Sequence, residues 1–362
     1  MVFYPICRRK EMKRFINFLA VTAALLMLVC LFSGCRQNVQ RLHIFNWSYY
    51  TPQAVIEQFE REYGVRVVYD EFASNEEMFA RLMAGGGRGF DIVFPSGDYV
   101  AIMIRQGMLA RLDHSLMPNL TNIDPAVLQR ALYDPNMEYS VPYFFGASGI
   151  AVNTAMVPDF PRDISIFSRA DLRGRMTMLD DLRQVIGDAL NYLGFSVNSR
   201  NPQEIAAARD HINTHWRPNL VKFDSDVMGT GFANGEFWVV QTWAEVVFEE
   251  IADNPQLMRD TVFFIPPGAS AYIDNMVILS DSQNIDLAHK FINFIHRPDI
   301  YAMFADEFGL PATVNIPARQ HTQVRPWYSI EEMYLTGELQ DDVGPAMQYY
   351  TDAWFNSIRI GN

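Results

Sequence analysis

The stretch "LHIFNWSYYTPQAVIEQFEREYGVRVVYDE", residues 42–71, decides the fold class of this chain. Its apolar run 42–45 predicts a strand, and residues 51–64 predict a helix with Pro52 at the first helical position. The alternating residues 65–71 predict a second strand. Because tight turns join these elements, the stretch indicates a parallel α/β sheet. The predicted buried stripe of the helix is Val55, Ile56, Phe59 and Tyr63.

Later segments extend this pattern into two lobes. A second helix over 74–87 and a strand over 90–97 follow, and helical spacing returns over 284–299. Two long extended segments, 138–153 and 263–282, look like strands that pass from one lobe to the other. Two crossings make each lobe discontinuous in sequence and leave a cleft between the lobes.

Aromatic residues lie close to carboxylates at several predicted strand ends. Trp47, Tyr49 and Tyr50 crowd the first turn, where nothing in the flanking sequence makes them core residues. Ligands bind at the carboxyl ends of strands in open α/β sheets. Aromatic faces attract cations, so the pattern favours a cage for an extended cation. For any single pair, a core ring beside a surface acid is the alternative. The recurring groups are Asp98 with Tyr99, Trp243 with Glu245, Tyr272 with Asp274, and the acids Asp180 and Asp181.

Enzyme and metal motifs are mostly missing from the sequence. The glycine-rich run 84–89 lacks the Lys-Ser/Thr of a phosphate loop and is interpreted as a helix end. His211 and His215 have metal-ligand spacing, but no third ligand is apparent nearby. Ser96 has no identifiable base partner and is interpreted as a turn or binding hydroxyl. We therefore expect no catalytic residue, no cofactor and no metal.

The first 34 residues have the composition of a secretory signal. Basic residues precede an apolar run, and "FSGC" ends at Cys35. This end resembles a bacterial lipobox, which implies that Cys35 is lipidated, although Phe32 replaces the usual Leu. A retained transmembrane helix is the alternative, and Met12 is an alternative start to Met1. Either anchor predicts an extracytoplasmic, membrane-tethered protein.

The remaining chain is acidic and has no cysteine besides Cys35. The formal net charge is −13, and residues 1–34 carry five basic residues and one Glu, so the rest has a charge of about −17. All three cysteines lie within residues 1–35, which excludes disulfides and thiolate chemistry in the globular part. The acidic surface argues against nucleic-acid binding, which depends on basic contacts to phosphates.

Six segments, taken in order, resemble the spermidine/putrescine-binding proteins of bacterial ABC importers, the PotD type. They are "FNWSYYTP", "FDIVFPSGDYV", "YSVPYFFGASGIAVN", "MLDDLRQV", "YIDNMVI" and "GELQDDVG". The resemblance covers about residues 40 to 350. It implies the two-lobed, class II periplasmic-binding-protein fold, with a mixed, mostly parallel sheet in each lobe and two crossover strands. The implied N-terminal lobe is 35–148 plus 272–318, and the C-terminal lobe is 149–271 plus 319–362.

The resemblance also implies which residues contact the ligand. In the family the ligand lies stacked between aromatic rings, with its amines held by carboxylates. Four positions depart from the usual pattern: Asp98 replaces a Tyr, Gln184 a Glu, Tyr272 a Trp and Leu310 a Tyr. The predicted ligand contacts are Trp47, Ser48, Tyr50, Ser96, Asp98, Asp181, Gln184, Trp243, Tyr272, Asp274 and Gln340.

The sequence thus predicts a non-enzymatic, lipid-anchored receptor that captures a linear polyamine and delivers it to an ABC transporter permease. The neutral Gln184 favours putrescine over spermidine as the preferred ligand. A receptor for another small organic cation is the first alternative, and one for an anion or iron is less favoured. A secreted enzyme on the same fold is an alternative of a different class.

Overall fold

The computed structural model describes residues 39–48, 50–85 and 89–360. The predicted signal segment 1–34 and the lipidation site Cys35 lie outside the described residues. Within the described ranges, no helix has the length and apolarity needed to cross a membrane.

Ten strands form the two sheets of the molecule. In chain order they are β1 (Arg41–Trp47), β2 (Arg66–Phe72), β3 (Ile92–Val93), β4 (Ser140–Ala147), β5 (Gly149–Asn153), β6 (Met176–Met178), β7 (Leu220–Phe223), β8 (Val239–Thr242), β9 (Thr261–Phe264) and β10 (Ala271–Ile278).

Helices flank both sheets. The α-helices of the first half are α1 (Gln53–Tyr63), α2 (Asn75–Gly85), α3 (Gly97–Arg105), α4 (Pro125–Leu128), α5 (Leu182–Tyr192) and α6 (Pro202–His211). Those of the second half are α7 (Met228–Ala233), α8 (Ala244–Ile251), α9 (Pro255–Asp260), α10 (Ile285–Ile295), α11 (Pro298–Glu307), α12 (Ile330–Tyr334) and α13 (Met347–Ala353).

The opening stretch forms the predicted strand, helix and strand, but the helix begins at Gln53, with Pro52 as its N-cap and not its first residue. Helix α1 buries Val55, Ile56 and Phe59, whereas Tyr63 at its last turn is 37% exposed. Gly64 ends the helix in the left-handed conformation, with φ of 65°, which glycine adopts without a steric penalty. Strands β1 and β2 pair in parallel along their whole length. The βαβ unit is therefore present.

The two sheets have the same kind of strand order. The first is β2-β1-β3-β10-β4 and the second is β7-β6-β8-β5-β9. In the first sheet β10 runs antiparallel to both of its neighbours, and β5 does so in the second. Each sheet therefore contains two parallel and two antiparallel pairings, a more even mixture than the mostly parallel one predicted. The reason is that β10 and β5 enter their sheets from the opposite lobe.

The chain passes between the sheets where the extended segments were predicted to cross. Strand β4 lies in the first sheet and β5 in the second, with Ser148 between them. The return runs from β9 to β10 through residues 265–270. These features confirm the two-lobed α/β fold.

A third connection, which the predicted lobe boundary at 318/319 implies, lies near residues 337–340. Residues 337–340 pair with 269–271, through Gly337 N–H to Ala269 O at 3.0 Å and Gln340 N–H to Ala271 O at 2.9 Å. Before this connection, Arg319 forms an ion pair at 2.6 Å with Asp124, which follows the first three strands of the first sheet. The exact lobe boundaries stay predictions.

Candidate functional site

A cavity of about 320 Å³ lies between the lobes and collects most of the predicted ligand contacts. Predicted contacts that line it are Trp47, Ser48, Tyr50, Ser96, Asp181, Gln184, Trp243, Tyr272, Asp274 and Gln340. Further lining residues, absent from the prediction, are Phe72, Ala73, Asn75, Ser225, Asp226, Glu245 and Val246.

Strand ends and helix starts place these side chains. Trp47 is the last residue of β1, Ser96 is the N-cap of α3 and Asp181 is the N-cap of α5. Trp243 occupies the corresponding position before α8, directly after β8. The carboxyl ends of parallel strands therefore converge on the cavity, as expected for an open α/β sheet.

Asp274 forms the acidic centre of one end of the cavity. One of its oxygens accepts a hydrogen bond from the Tyr50 hydroxyl at 2.6 Å, and the other accepts one from the Ser96 hydroxyl at 2.5 Å. Asn75 in turn donates to the Ser96 hydroxyl at 3.0 Å. Burial raises the pKa of Asp274 to about 6, while the two hydroxyl donors oppose that rise.

Asp181 and Gln184 lie together at another part of the cavity. The Asp181 carboxylate caps α5 by accepting from the backbone N–H groups of Arg183 and Gln184, at 2.8 and 3.0 Å. Burial is the main cause that raises the pKa of Asp181 to about 6. The Gln184 side-chain oxygen accepts from Ser148 at 2.9 Å and from Ser270 at 3.2 Å. Gln184 therefore joins the cavity wall to both interlobe crossings.

Aromatic faces complete the cavity. Trp47 packs against Phe72, with ring centroids 4.6 Å apart, and its indole N–H donates to the Phe94 carbonyl at 2.8 Å. Trp47, Trp243 and Tyr272 are each only partly buried, which leaves ring surface open to the cavity. A fixed aromatic face with a satisfied N–H suits stacking on an alkyl chain or an ammonium group.

Asp98 is the predicted ligand contact that the structure does not bring to the cavity. Its side chain is buried, and one carboxylate oxygen has no hydrogen-bond partner among the described residues. Burial raises the pKa of Asp98 to about 7, and the positive charge of Arg183 across the lobe interface opposes this rise. The residue lies in the first turn of α3 and is not among the residues that line the cavity. Leu310, another departure from the family pattern, is also buried, with 2% of its surface exposed.

Glu245 is the main lining residue that the prediction missed. It follows Trp243 by two residues in the "QTWAE" segment, and the aromatic–acid pattern paired the two residues. The ligand contacts implied by the resemblance included Trp243 but not Glu245. Burial raises the pKa of Glu245 to about 7, and the neighbouring charge of Asp274 adds to the rise. Asp226 and Ser225 follow β7 and add a further acid and hydroxyl to the lining.

Among the described residues, no group of three or more His, Cys, Asp or Glu side chains could hold a metal ion. The rings of His211 and His215 lie 4.7 Å apart between centroids, away from the cavity lining. The arrangement in the cavity combines carboxylates, hydroxyls and aromatic faces, which are groups that recognise organic ammonium ions.

Comparisons with known proteins agree with this geometry. Residues 48–302 match the bacterial extracellular solute-binding protein family. The chain is 32% identical over 328 residues to the spermidine/putrescine-binding periplasmic protein of Escherichia coli, covering 88% of this chain and 92% of that protein. It is 33% identical over 283 residues to a putrescine/cadaverine-binding protein of Pseudomonas aeruginosa, covering 75% and 79%. The crystal structure of the TpPotD lipoprotein of Treponema pallidum is 46% identical, with a TM-score of 0.85 and coverage of 88% and 99%.

Proposed function

This chain belongs to the family of bacterial extracellular solute-binding proteins, and on that premise we propose that it is a receptor for linear polyamines. The family consists of solute-binding proteins and not enzymes, in agreement with the predicted absence of catalytic residues. Family membership also gives the protein an extracytoplasmic location. Putrescine and spermidine are the proposed ligands, and an ABC transporter permease is the proposed acceptor.

The charge of the cavity lining carries this proposal. Four carboxylate residues, Asp181, Asp226, Glu245 and Asp274, line the cavity, and its described lining contains no Lys, Arg or His. A buried carboxylate without a counter-ion is costly, whereas an ammonium ion in the cavity would form charge-assisted hydrogen bonds with it. A linear diamine or triamine could pair its ammonium groups with these acids and stack its alkyl chain on the aromatic rings of the lining.

Closure of the lobes is the mechanism that this arrangement supports. The ligand would contact residues of both lobes, such as Trp47 from β1 and Trp243 after β8. A ligand that binds the closed state more tightly shifts the population toward that state. The division into lobes at residues 148/149, 271/272 and 318/319 is part of this proposal, and the strand membership of the two sheets supports the first two boundaries.

Two further parts of the proposal concern the anchor and the preferred ligand. Lipidation at Cys35 would hold the receptor at the membrane, and the "FSGC" sequence supports it. We infer a preference for putrescine over spermidine because the amide of Gln184 offers no negative charge to a third ammonium. The side-chain oxygen of Gln184 is also engaged by Ser148 and Ser270.

Titration calorimetry with putrescine, spermidine and arginine tests the proposed function. We expect the polyamines to bind and Asp274→Asn to weaken both, because a desolvated ammonium loses its charge partner. The thermal unfolding of the ligand-free variant should remain cooperative. Tighter binding of arginine than of either polyamine would instead favour a receptor for another small cation, and chemical conversion of the ligand would favour an enzyme.

A further inference from the structure

We propose that Glu245 is a direct ligand contact that holds the ammonium group at the Asp274 end of the cavity. This inference rests on the proposed function, since it assigns a residue to an ammonium ligand. It departs from the contacts implied by the resemblance, which assign that end of the site to Asp274 with its aromatic neighbours.

The hydrogen bonds of the two acids differ. Both oxygens of Asp274 already accept short hydrogen bonds from protein hydroxyls, those of Tyr50 and Ser96. Glu245 receives no hydrogen bond from another residue's side chain in the part of the chain that the structure describes, although only 8% of its surface is exposed. A buried carboxylate normally has partners. Apart from its own backbone N–H, the carboxylate of Glu245 is therefore available to a ligand in the cavity, which its side chain lines.

The position of Glu245 also suits an ammonium contact. It lies in the first turn of α8, an eight-residue helix whose N-terminal N–H groups stabilise a negative charge there. Trp243, the N-cap residue, and Tyr272 bring aromatic surface to the same cavity. The carboxylate thus stands beside rings on which the alkyl chain next to the ammonium can stack.

Among the described residues, the groups recorded as acting on the charge of Glu245, or as feeling it, are all acids or tyrosines. They are Tyr50, Tyr272, Asp274, Tyr328 and Glu249. No Lys, Arg or His is among them or in the described cavity lining, so the described residues supply no counter-ion for this carboxylate. An ammonium between Glu245 and Asp274 would favour the ionised form of both carboxylates, so its binding would release to solvent the proton that Glu245 holds in the ligand-free protein.

The variants Glu245→Gln and Glu250→Gln form a matched pair for the test. Both lie on α8, but Glu250 is exposed and absent from the cavity lining. Putrescine binding is measured by titration calorimetry at pH 6.5 in two buffers of different ionisation enthalpy, which gives the affinity and the protons released. Thermal unfolding of the ligand-free variants reports their folding.

We expect Glu245→Gln to weaken putrescine binding at least ten-fold and to reduce the number of released protons, with an unfolding temperature equal to or above that of the wild type. Glu250→Gln should change the affinity less than two-fold. A structural role alone would not change the proton release. Wild-type affinity and proton release in Glu245→Gln overturn the inference, while polyamine binding by the wild type still supports the proposed function. Failure of the wild type to bind either polyamine overturns both.

Discussion

Polyamine binding should weaken strongly as the pH falls from 8 to 6, because a cationic ligand requires ionised carboxylates in the cavity. In the ligand-free protein, burial raises the pKa to about 6 for Asp181 and Asp274 and to about 7 for Glu245. Primary amines titrate near the lysine value of about 10.4. The charge of putrescine therefore stays constant over this pH range, and the protein alone titrates.

The magnitude follows from these three pKa values. We take all three carboxylates to be ionised in the complex. At pH 6, partial protonation of the ligand-free protein then lowers the apparent affinity about two-fold for each of Asp181 and Asp274 and about ten-fold for Glu245. The combined loss between pH 8 and pH 6 is then about 40-fold. Binding at pH 6 should release about two protons, whereas binding at pH 8 should release almost none.

The stability of the ligand-free protein should change in the opposite direction. The three groups have pKa values in the folded state above those of the unfolded chain, which are about 3.9 for Asp and 4.3 for Glu. Their contribution to stability is fully present below the unfolded values and is lost as the pH rises through about 6 to 7. Binding strengthens over the same interval in which this contribution disappears.

Titration calorimetry at pH 6, 7 and 8, in phosphate and in Tris, measures both the affinity and the proton release. Thermal unfolding with and without saturating putrescine follows the stability. An affinity that stays within two-fold across this range, with no dependence of the enthalpy on the buffer, would refute the reasoning. It would show that the cavity carboxylates are ionised before the ligand arrives.

Three further substitutions test separate parts of the proposal. Trp243→Ala should weaken putrescine binding by roughly 1–3 kcal/mol through lost cation–π and apolar contact, and unchanged calorimetric affinity would remove the ring from the site. Gln184→Glu should improve spermidine relative to putrescine by about 1 kcal/mol or more, since Ser148 and Ser270 can donate to the new carboxylate; an unaltered affinity ratio speaks against a role in preference. Cys35→Ser should abolish lipid labelling and release the protein from membrane fractions, and a retained label contradicts the lipobox.

Most of the fold could be predicted from local sequence patterns. The prediction was wrong where tertiary contacts determine where a strand or helix begins and ends. The strand predicted over 90–97 shortens to Ile92–Val93, after which Pro95 and the start of α3 interrupt the pairing. The helix predicted over 284–299 ends at Ile295. A second helix then begins at Pro298, because proline suits the first turn of a new helix better than the interior of an old one.

Asp98, a predicted contact outside the cavity lining, and Glu245, a lining residue outside the predicted contacts, occupy equivalent places in the chain. Asp98 is the second residue of α3, after the N-cap Ser96, and Glu245 is the second residue of α8, after the N-cap Trp243. Each follows a short strand that ends at the cleft. The local sequence is therefore similar around the two acids, and the packing around the start of each helix is what differs.

The surroundings of α3 differ from those of α8. Tyr133 packs so closely on Gly97 that a Cβ there would lie 2.3 Å from its ring, and the Asp98 charge is opposed by Arg183. Glu245 faces no such cation. On the proposed assignment, Arg183 balances the charge of Asp98 within the protein, whereas the ligand balances the charge of Glu245. This difference depends on long-range contacts between the lobes, which neither the aromatic–acid pattern, which named both acids, nor the resemblance, which carried over only Asp98, could supply.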